Sequence, residues 1–366
     1  MGNYVAMSKD HIRLLIQPDD GAADLVKAVD RAKETVDILI FRFDLSELEK
    51  ALVRAVQRGV RVHALVAHTS RGGDKLLRSL ELRLLKSGVT VSRTADELVR
   101  YHGKMMIVDR KELFVLGFNY TYLDIDRSRS FGLILDDQKL IQEATDLFKA
   151  DATRQLYKPR DPRFVVSPIN ARQSLTDFLE GAKKELLVYD LNLSDAWSVH
   201  ILQERAKAGV TIRIIGGSRG LPAKTLTGLR LHTRTVVRDE SSLFLGSQSL
   251  KAAELDKRRE IGVILEDSKI GAAIKAVFEK DWANSGTTGA PGTPLSATKV
   301  AKRVAKAVTK ALPPLNGLLT SVVKDMAGEN ASIEVIPEEF EMSVKDAIKE
   351  AVKAAVREAV DEASTT

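Results

Sequence analysis

Residues 101–110 read YHGKMMIVDR, and residues 231–240 read LHTRTVVRDE. Each holds a histidine, a cation two residues later, four further residues and then an aspartate. The first set is His102, Lys104 and Asp109; the second is His232, Arg234 and Asp239. One such pattern, in a chain with only six histidines, reads most simply as a structural histidine on a buried strand. Two in matching register read differently, so the flanking sequence decides the matter.

The register holds. AKETVDILIFRFDLSELEKALVRAVQRGVRVHALV from Ala32 matches AKKELLVYDLNLSDAWSVHILQERAKAGVTIRIIG from Ala182 at an offset of 150, pairing Gly59 with Gly209. Each copy runs from an apolar strand-type segment (Val36–Phe43; Leu186–Leu193) through a helical stretch and Gly-Val to a second apolar run (Val60–Val66; Val210–Ile215). That is a strand–helix–strand unit, which predicts parallel strands. FGLILDDQKLIQEATDLFKAD from Phe131 matches IGVILEDSKIGAAIKAVFEKD from Ile261 at an offset of 130, and the same offset relates the two histidine patterns. The first copy therefore carries about twenty extra residues. They fall around GGDKLLRSLELRLLKSGVTV, an amphipathic helix that the second copy shortens to LPAKTLTGLRL.

Composition sets the bounds. At 366 residues the chain suits two domains or one duplicated domain with an appendage. The absence of cysteine removes disulfides, thiolate ligands and a cysteine nucleophile, and fits a reducing, cytoplasmic setting. MGNYVAMSKDHIRLL lacks a signal-peptide apolar core, and no apolar run nears the roughly 20 residues that span a bilayer. A net charge of +6 favours an anionic partner without choosing between nucleic acid and lipid headgroups.

On a strand, residues i and i+2 share a face. His102 would project with Lys104, and His232 with Arg234. Two such units packed as a pseudo-dimer bring two imidazoles and two cations to one cleft. That set suits a phosphate. The cations bind nonbridging oxygens, one imidazole attacks phosphorus, the other protonates the leaving oxygen, and a carboxylate fixes a histidine tautomer. No metal or other cofactor is called for.

HGKMMIVD and HTRTVVRD resemble the paired HxKxxxxD motifs of the phospholipase D superfamily. VLGFNYT (Val115–Thr121) resembles its Gly-x-Asn turn, LGSQSL (Leu245–Leu250) its Gly-Ser turn, and RREIGVILED (Arg258–Asp267) its later Glu-bearing strand. The resemblance covers about residues 18–284. It implies an α/β fold: a duplicated α/β/α sandwich with a helical C-terminal appendage. The first repeat would span 18–157, the second 158–284, a linker 285–296 and a helical tail 297–366. It also implies a metal-independent phosphodiesterase or phosphatidyltransferase working through a phosphohistidine. His102 is favoured as nucleophile and His232 as general acid, with Lys104 and Arg234 on phosphate oxygens and Asp109 and Asp239 shaping the site. Asn119, Ser247 and Glu260 would touch substrate or orient a histidine. The superfamily also holds nucleases. A 5% aromatic content with no stripe of aromatics among basic residues places lipid first and leaves nucleic acid open.

Three positions depart from the pattern. Arg234 replaces the usual Lys, Ser249 stands opposite Asn119, and Ser130 stands opposite Glu260. They predict either specialised halves or a catalytically silent phosphate-binding relative. Asp109 and Asp239 also read as turn acids, Lys257–Arg259 as a solvated basic face, and His11, His63, His68 and His200 as structural or surface residues. In the tail, Ser296–Leu312 is a basic amphipathic helix suited to peripheral contact with an anionic membrane. Ser343–Ala363, with valines every fourth residue, suits self-association through helices.

Overall fold

The apolar runs that open each copy are strands in the structure, a computed structural model that describes residues 12–68, 74–287 and the single residue Val352. The chain divides into two units, Met1–Thr288 and Gly289–Thr366, and every element named below lies in the first. The helices expected at Ser296–Leu312 and, apart from Val352, at Ser343–Ala363, and the linker beyond 287, fall outside the described residues.

The first sheet is built from β1 (Ile12–Gln17), β2 (Thr35–Ile40), β3 (Arg61–Val66), β4 (Thr90–Arg93), β6 (Met105–Val108), β7 (Glu112–Leu116) and β8 (Ser128–Leu135), with the two-residue β5 (Arg100–Tyr101) outside it. The second comprises β9 (Phe164–Val166), β10 (Glu185–Leu193), β11 (Thr211–Ser218), β12 (Lys224–Thr225), β14 (Arg234–Arg238), β15 (Ser242–Gly246), β17 (Ile261–Glu266) and β18 (Gly286–Thr287). Two further short strands, β13 (Arg230–Leu231) and β16 (Arg258–Arg259), pair across the halves. The spatial orders, β1-β8-β7-β6-β2-β3-β4 and β9-β17-β15-β14-β10-β11-β12, correspond strand for strand. Registers correspond as well. Val36 opposes Val62 as Leu186 opposes Ile212, and Met105 opposes Val115 as Thr235 opposes Leu245.

Helices cover both faces of each sheet, which is why these strands read as near-continuous apolar runs. α1 (Ala23–Arg31), α2 (Ser46–Gln57) and α3 (Asp74–Lys86) pack outside the first sheet, and α6 (Ala171–Glu180) and α7 (Ala196–Lys207) outside the second. α5 (Gln138–Thr153) and α9 (Ser268–Ala283) join the facing sides of both sheets in one core that includes Leu39, Ile107, Phe131, Tyr189, Val237 and Phe278. Their N-caps match: Asp137 accepts from the N–H groups of Lys139 and Leu140, and Asp267 from those of Lys269 and Ile270. α3 is the helix the first copy adds between β3 and β4; in the second copy β11 leads to β12 with no helix between them. Two one-turn helices remain, α4 (Tyr122–Asp126) and α8 (Ala252–Asp256).

Candidate active site

The two copies exchange the strand ends that carry their histidines. β5 pairs in parallel with β16 of the other half, and the His102 N–H donates to the Arg259 carbonyl at 2.7 Å. Reciprocally, β13 pairs with β8, and the His232 N–H donates to the Arg129 carbonyl at 3.0 Å. A buried ion pair locks each crossing. Arg129 donates to Asp281 at 2.8 Å and to the Gln17 carbonyl at 2.8 Å; Arg259 donates to Asp151 at 3.1 Å and to the Ser167 carbonyl at 3.0 Å. Buried pairs add little net stability, but losing one partner strands a charge, so they specify how the halves dock. Gly103 lets the crossing chain lie close to β17: a Cβ there would fall 2.6 Å from Ile261 Cδ1.

His102 sits just inside this crossing, with 6% of its surface exposed. Its Nδ1 lies 2.8 Å from Glu260 Oε2, a carboxylate of the opposite half. Glu260 is wholly buried; burial raises its pKa against the pull of Lys104 and a hydrogen bond from Ser247. Phe41 packs edge-on against the imidazole at 4.6 Å between centroids. The Lys104 ammonium lies 3.0 Å from His102 Nε2 and donates to the His102 carbonyl at 2.6 Å. Burial pushes Lys104 down to about 7, with Arg234 adding to the shift and Glu260 opposing it. Burial, then Lys104 and Arg234, hold His102 well below the ordinary histidine value, so the ring is neutral at neutral pH.

His232, 5% exposed, faces a carboxylate the sequence reading missed. Asp124, in α4 of the first half, places Oδ2 3.4 Å from His232 Nδ1. The same oxygen accepts from the Asn119 backbone N–H at 2.8 Å and from Asn119 Nδ2 at 2.6 Å, while Oδ1 accepts from Arg230 at 2.6 Å. Burial raises Asp124, but His232 and Arg230 outweigh it and hold the carboxyl below its usual range. Burial drives His232 well below the ordinary histidine value, with Asp124 opposing and Arg234, Arg230 and Lys104 assisting. Lys104 thus acts on His232, and Arg234 on His102, so both motifs share one electrostatic site. Asn119 Oδ1, His232 Nδ1 and Glu260 Oε1 are buried without a hydrogen-bond partner, as polar atoms arranged for a ligand often are.

The departures at Arg234 and Ser249 belong together. Arg234 Nε donates to Ser249 Oγ at 3.3 Å, and Nη1 to the His232 carbonyl at 3.3 Å. Asp190, wholly buried at the position of Ile40, accepts from the Leu250 N–H at 2.7 Å and feels the Arg234 charge. Burial pushes its carboxyl up to about 6. The first copy thus holds Lys104, Asn119 and Ile40 where the second holds Arg234, Ser249 and Asp190. A larger, forked cation is matched by a smaller neighbour and a buried counter-charge.

Asp109 and Asp239 do not join this group. Each opens a tight turn with positive φ, 51° and 53°, at the far end of its strand. Five residues of strand place Asp109 roughly 16 Å beyond Lys104. Asp109 accepts from the backbone N–H groups of Lys33, Glu34 and Thr35, and Asp239 from those of Lys183, Lys184 and Glu185. They are turn acids that pin the start of β2 and β10. Ser247 Oγ accepts from the Ile261 N–H at 3.1 Å, so it holds the start of the strand that follows Glu260. The solvated face expected at Lys257–Arg259 is also corrected: Arg259 is buried on Asp151, and Arg258 donates to Glu254, the counterpart of Asp124.

Residues 25–152 match the family described as cardiolipin synthase, phospholipase D-like domain. Its sequence similarities support a place in the phospholipase D superfamily. A phospholipase D of Rickettsia conorii is 23% identical over 141 residues, 38% of this chain and 68% of that protein. A mitochondrial cardiolipin hydrolase of Mus musculus is 28% identical over 145 residues, 38% of this chain and 63% of that protein. Both matches therefore span about two thirds of the relative. The phosphatidylserine synthase of Haemophilus influenzae shares the fold at a TM-score of 0.62 and 10% identity, over 88% of this chain and 96% of that one. The polyphosphate kinase of Porphyromonas gingivalis does so at 0.62 and 18%, over 74% and 50%. Among the described residues no helix is long and apolar enough to cross a membrane.

Proposed function

We propose that the chain is a phosphodiesterase or phosphatidyltransferase acting on phospholipids through a covalent phosphohistidine. The observation that carries this reading is the pairing of two buried, neutral imidazoles with carboxylates of opposite halves, in one site with Lys104 and Arg234. Glu260 accepts from His102 Nδ1–H and so leaves the Nε2 lone pair for phosphorus. Nε2 forms a bond to phosphorus as the bond to the leaving oxygen breaks, and His232 delivers its proton to that oxygen. A phosphodiester anion entering the site offsets the cations and lets His232, facing Asp124, hold that proton. His232 then takes a proton from water or an alcohol, whose oxygen attacks phosphorus and frees His102. Lys104 and Arg234 hold the phosphoryl oxygens, so the scheme calls for no metal ion.

Two points favour lipid over duplex nucleic acid. The sequence relatives carry the names phospholipase D and cardiolipin hydrolase. Histidines only 6% and 5% exposed also suit a slender phosphodiester better than a rigid duplex. The net charge of +6 and the basic segment Ser296–Leu312 would bring the chain to an anionic bilayer. The test is headgroup release from cardiolipin and phosphatidylglycerol vesicles in EDTA, with single-stranded DNA as a parallel substrate. The wild type should act on vesicles, and His102→Ala should lose about 10⁴-fold or more. Activity that survives His102→Ala or depends on a divalent metal defeats the mechanism. Cleavage of DNA with vesicles untouched moves the chain to the nucleases.

A further inference from the structure

The duplication exposes a second site, away from His102 and His232. In the second half, the space between the start of β10 and β11 and the end of α9 is filled. Trp282 stacks on Phe278 with centroids 5.7 Å apart, and Arg213 lies over both rings. Arg213 pairs there with Glu185 and Glu279, and Lys275 with Glu185 and Glu240, while Lys224 lies over Trp282 and donates to its carbonyl. The same place in the first half is an open cleft of about 490 Å³ between the start of β2 and β3 and the end of α5. Ala152 stands there for Trp282, His63 for Arg213, Thr145 for Lys275, Arg110 for Glu240 and Lys149 for Glu279.

The lining is chemically specific. Arg61, Arg110 and Lys149 stand at its rim, and no ion pair within 4 Å engages any of them among the described residues. Half-buried Asp37 lies at the base, where the second copy has Leu187, within electrostatic reach of Arg61, Arg110 and His63. His63 is fixed by Ser92 Oγ at 2.8 Å and by the edge of Phe148. The volume lies within the range of small-molecule sites. Three free cations exceed what the two oxygens of a carboxylate require and match the oxygens of a phosphate monoester. A half-buried carboxylate beneath them calls for a hydrogen-bond donor.

We propose that this cleft binds a small organic phosphate, its phosphate on Arg61, Arg110 and Lys149 and a hydroxyl or amino donor on Asp37. The site is independent of the histidine chemistry. The probe is glycerol 3-phosphate, titrated calorimetrically into the full chain, with inorganic phosphate as comparison. Saturable binding is expected in the wild type and in His102→Ala, at least tenfold tighter for glycerol 3-phosphate than for inorganic phosphate. Arg110→Glu with Lys149→Glu, which installs the second copy's residues on the surface, should weaken it at least tenfold, as should Ala152→Trp, which installs the second copy's plug. If Ala152→Trp fails to fold, the surface pair decides. No saturable binding, equal binding of inorganic phosphate, or binding indifferent to the Arg110/Lys149 reversal overturns the proposal.

Discussion

The surroundings of His102 and His232 differ more than their backbones do. Both histidines hang from the same crossed-strand device, held by Arg129–Asp281 on one side and Arg259–Asp151 on the other. Yet His102 has a full hydrogen bond to Glu260 at 2.8 Å, while Asp124 stands 3.4 Å from His232 and is shared with Asn119 and Arg230. The Glu260 position in the first copy is Ser130, whose hydroxyl reaches only the His232 carbonyl, at 3.5 Å. A symmetric frame can thus hold unequal imidazoles: one tightly oriented as a nucleophile requires, the other freer to gain and lose a proton.

Removing the two carboxylates separately tests that inequality most severely. Glu260→Gln should lower kcat by about 10²- to 10⁴-fold, since it disturbs the tautomer of the attacking ring and strands a buried partner. Asp124→Asn should cost about tenfold, because its carboxylate stands 3.4 Å from His232 Nδ1 without a hydrogen bond to it. Steady-state headgroup release gives both numbers, and phosphohistidine trapping under alkaline quench assigns the step. Phosphoenzyme formation should slow far more in Glu260→Gln than in Asp124→Asn. A larger loss at Asp124 would exchange the roles of the two histidines.

Lys104 sharpens the comparison through pH. Burial brings its ammonium down to about 7, so in the free site its charge is present below that pH and lost above it. The value of kcat/KM should therefore fall as pH rises through about 7. Lys104→Arg, whose guanidinium stays charged, should lose about tenfold at pH 6 through poor fit and show no alkaline fall. The folded-state value lies below the unfolded one near 10.5, so between these limits the unfolded chain holds a proton the folded chain lacks. Wild-type stability should accordingly rise from pH 7 to 10 relative to Lys104→Met, measured by urea unfolding.

Arg234 gives a smaller effect. Arg234→Lys alone removes the Nε–H that Ser249 Oγ accepts and leaves a gap beside it, for a loss of about tenfold in kcat/KM. Adding Ser249→Asn restores the first copy's combination and should recover part of that loss. Strict additivity of the two changes would separate positions that the structure joins at 3.3 Å.

Much of this was legible in the sequence, because duplication prints the fold twice. The offsets of 150 and 130 became matching sheet orders and registers, and the histidines, Lys104, Arg234, Asn119 and Glu260 came together. Asp124 and Glu254 escaped because each follows its Asn or Ser turn by five residues in a one-turn helix, too short to show periodicity. The crossing ion pairs were present in the alignment, where Arg129 meets Arg259 and Asp151 meets Asp281. Repetition shows that a residue recurs; it does not show that its partner belongs to the other copy. The first-half cleft was hidden for the converse reason, since it lies where the copies stop agreeing.

The motif aspartates mark where pattern and chemistry separate, and they carry the smallest functional prediction. Asp109→Ala removes a carboxylate that three backbone N–H groups hold at the start of β2, so stability should fall by about 1–2 kcal/mol. Burial raises the Asp109 pKa, but the N–H groups outweigh it and leave it below the ordinary value. Its contribution is therefore present above the unfolded carboxylate range and is lost as pH falls through the lower folded value; at pH 3 the deficit of Asp109→Ala should shrink. At pH 7 and a temperature where both proteins are folded, kcat should stay within about twofold of wild type, because roughly 16 Å of strand separates the turn from Lys104. Asp239→Ala should behave alike through Lys183, Lys184 and Glu185. A kcat loss approaching that of Glu260→Gln, with stability intact, would mean that the strand transmits the turn's geometry to the histidine.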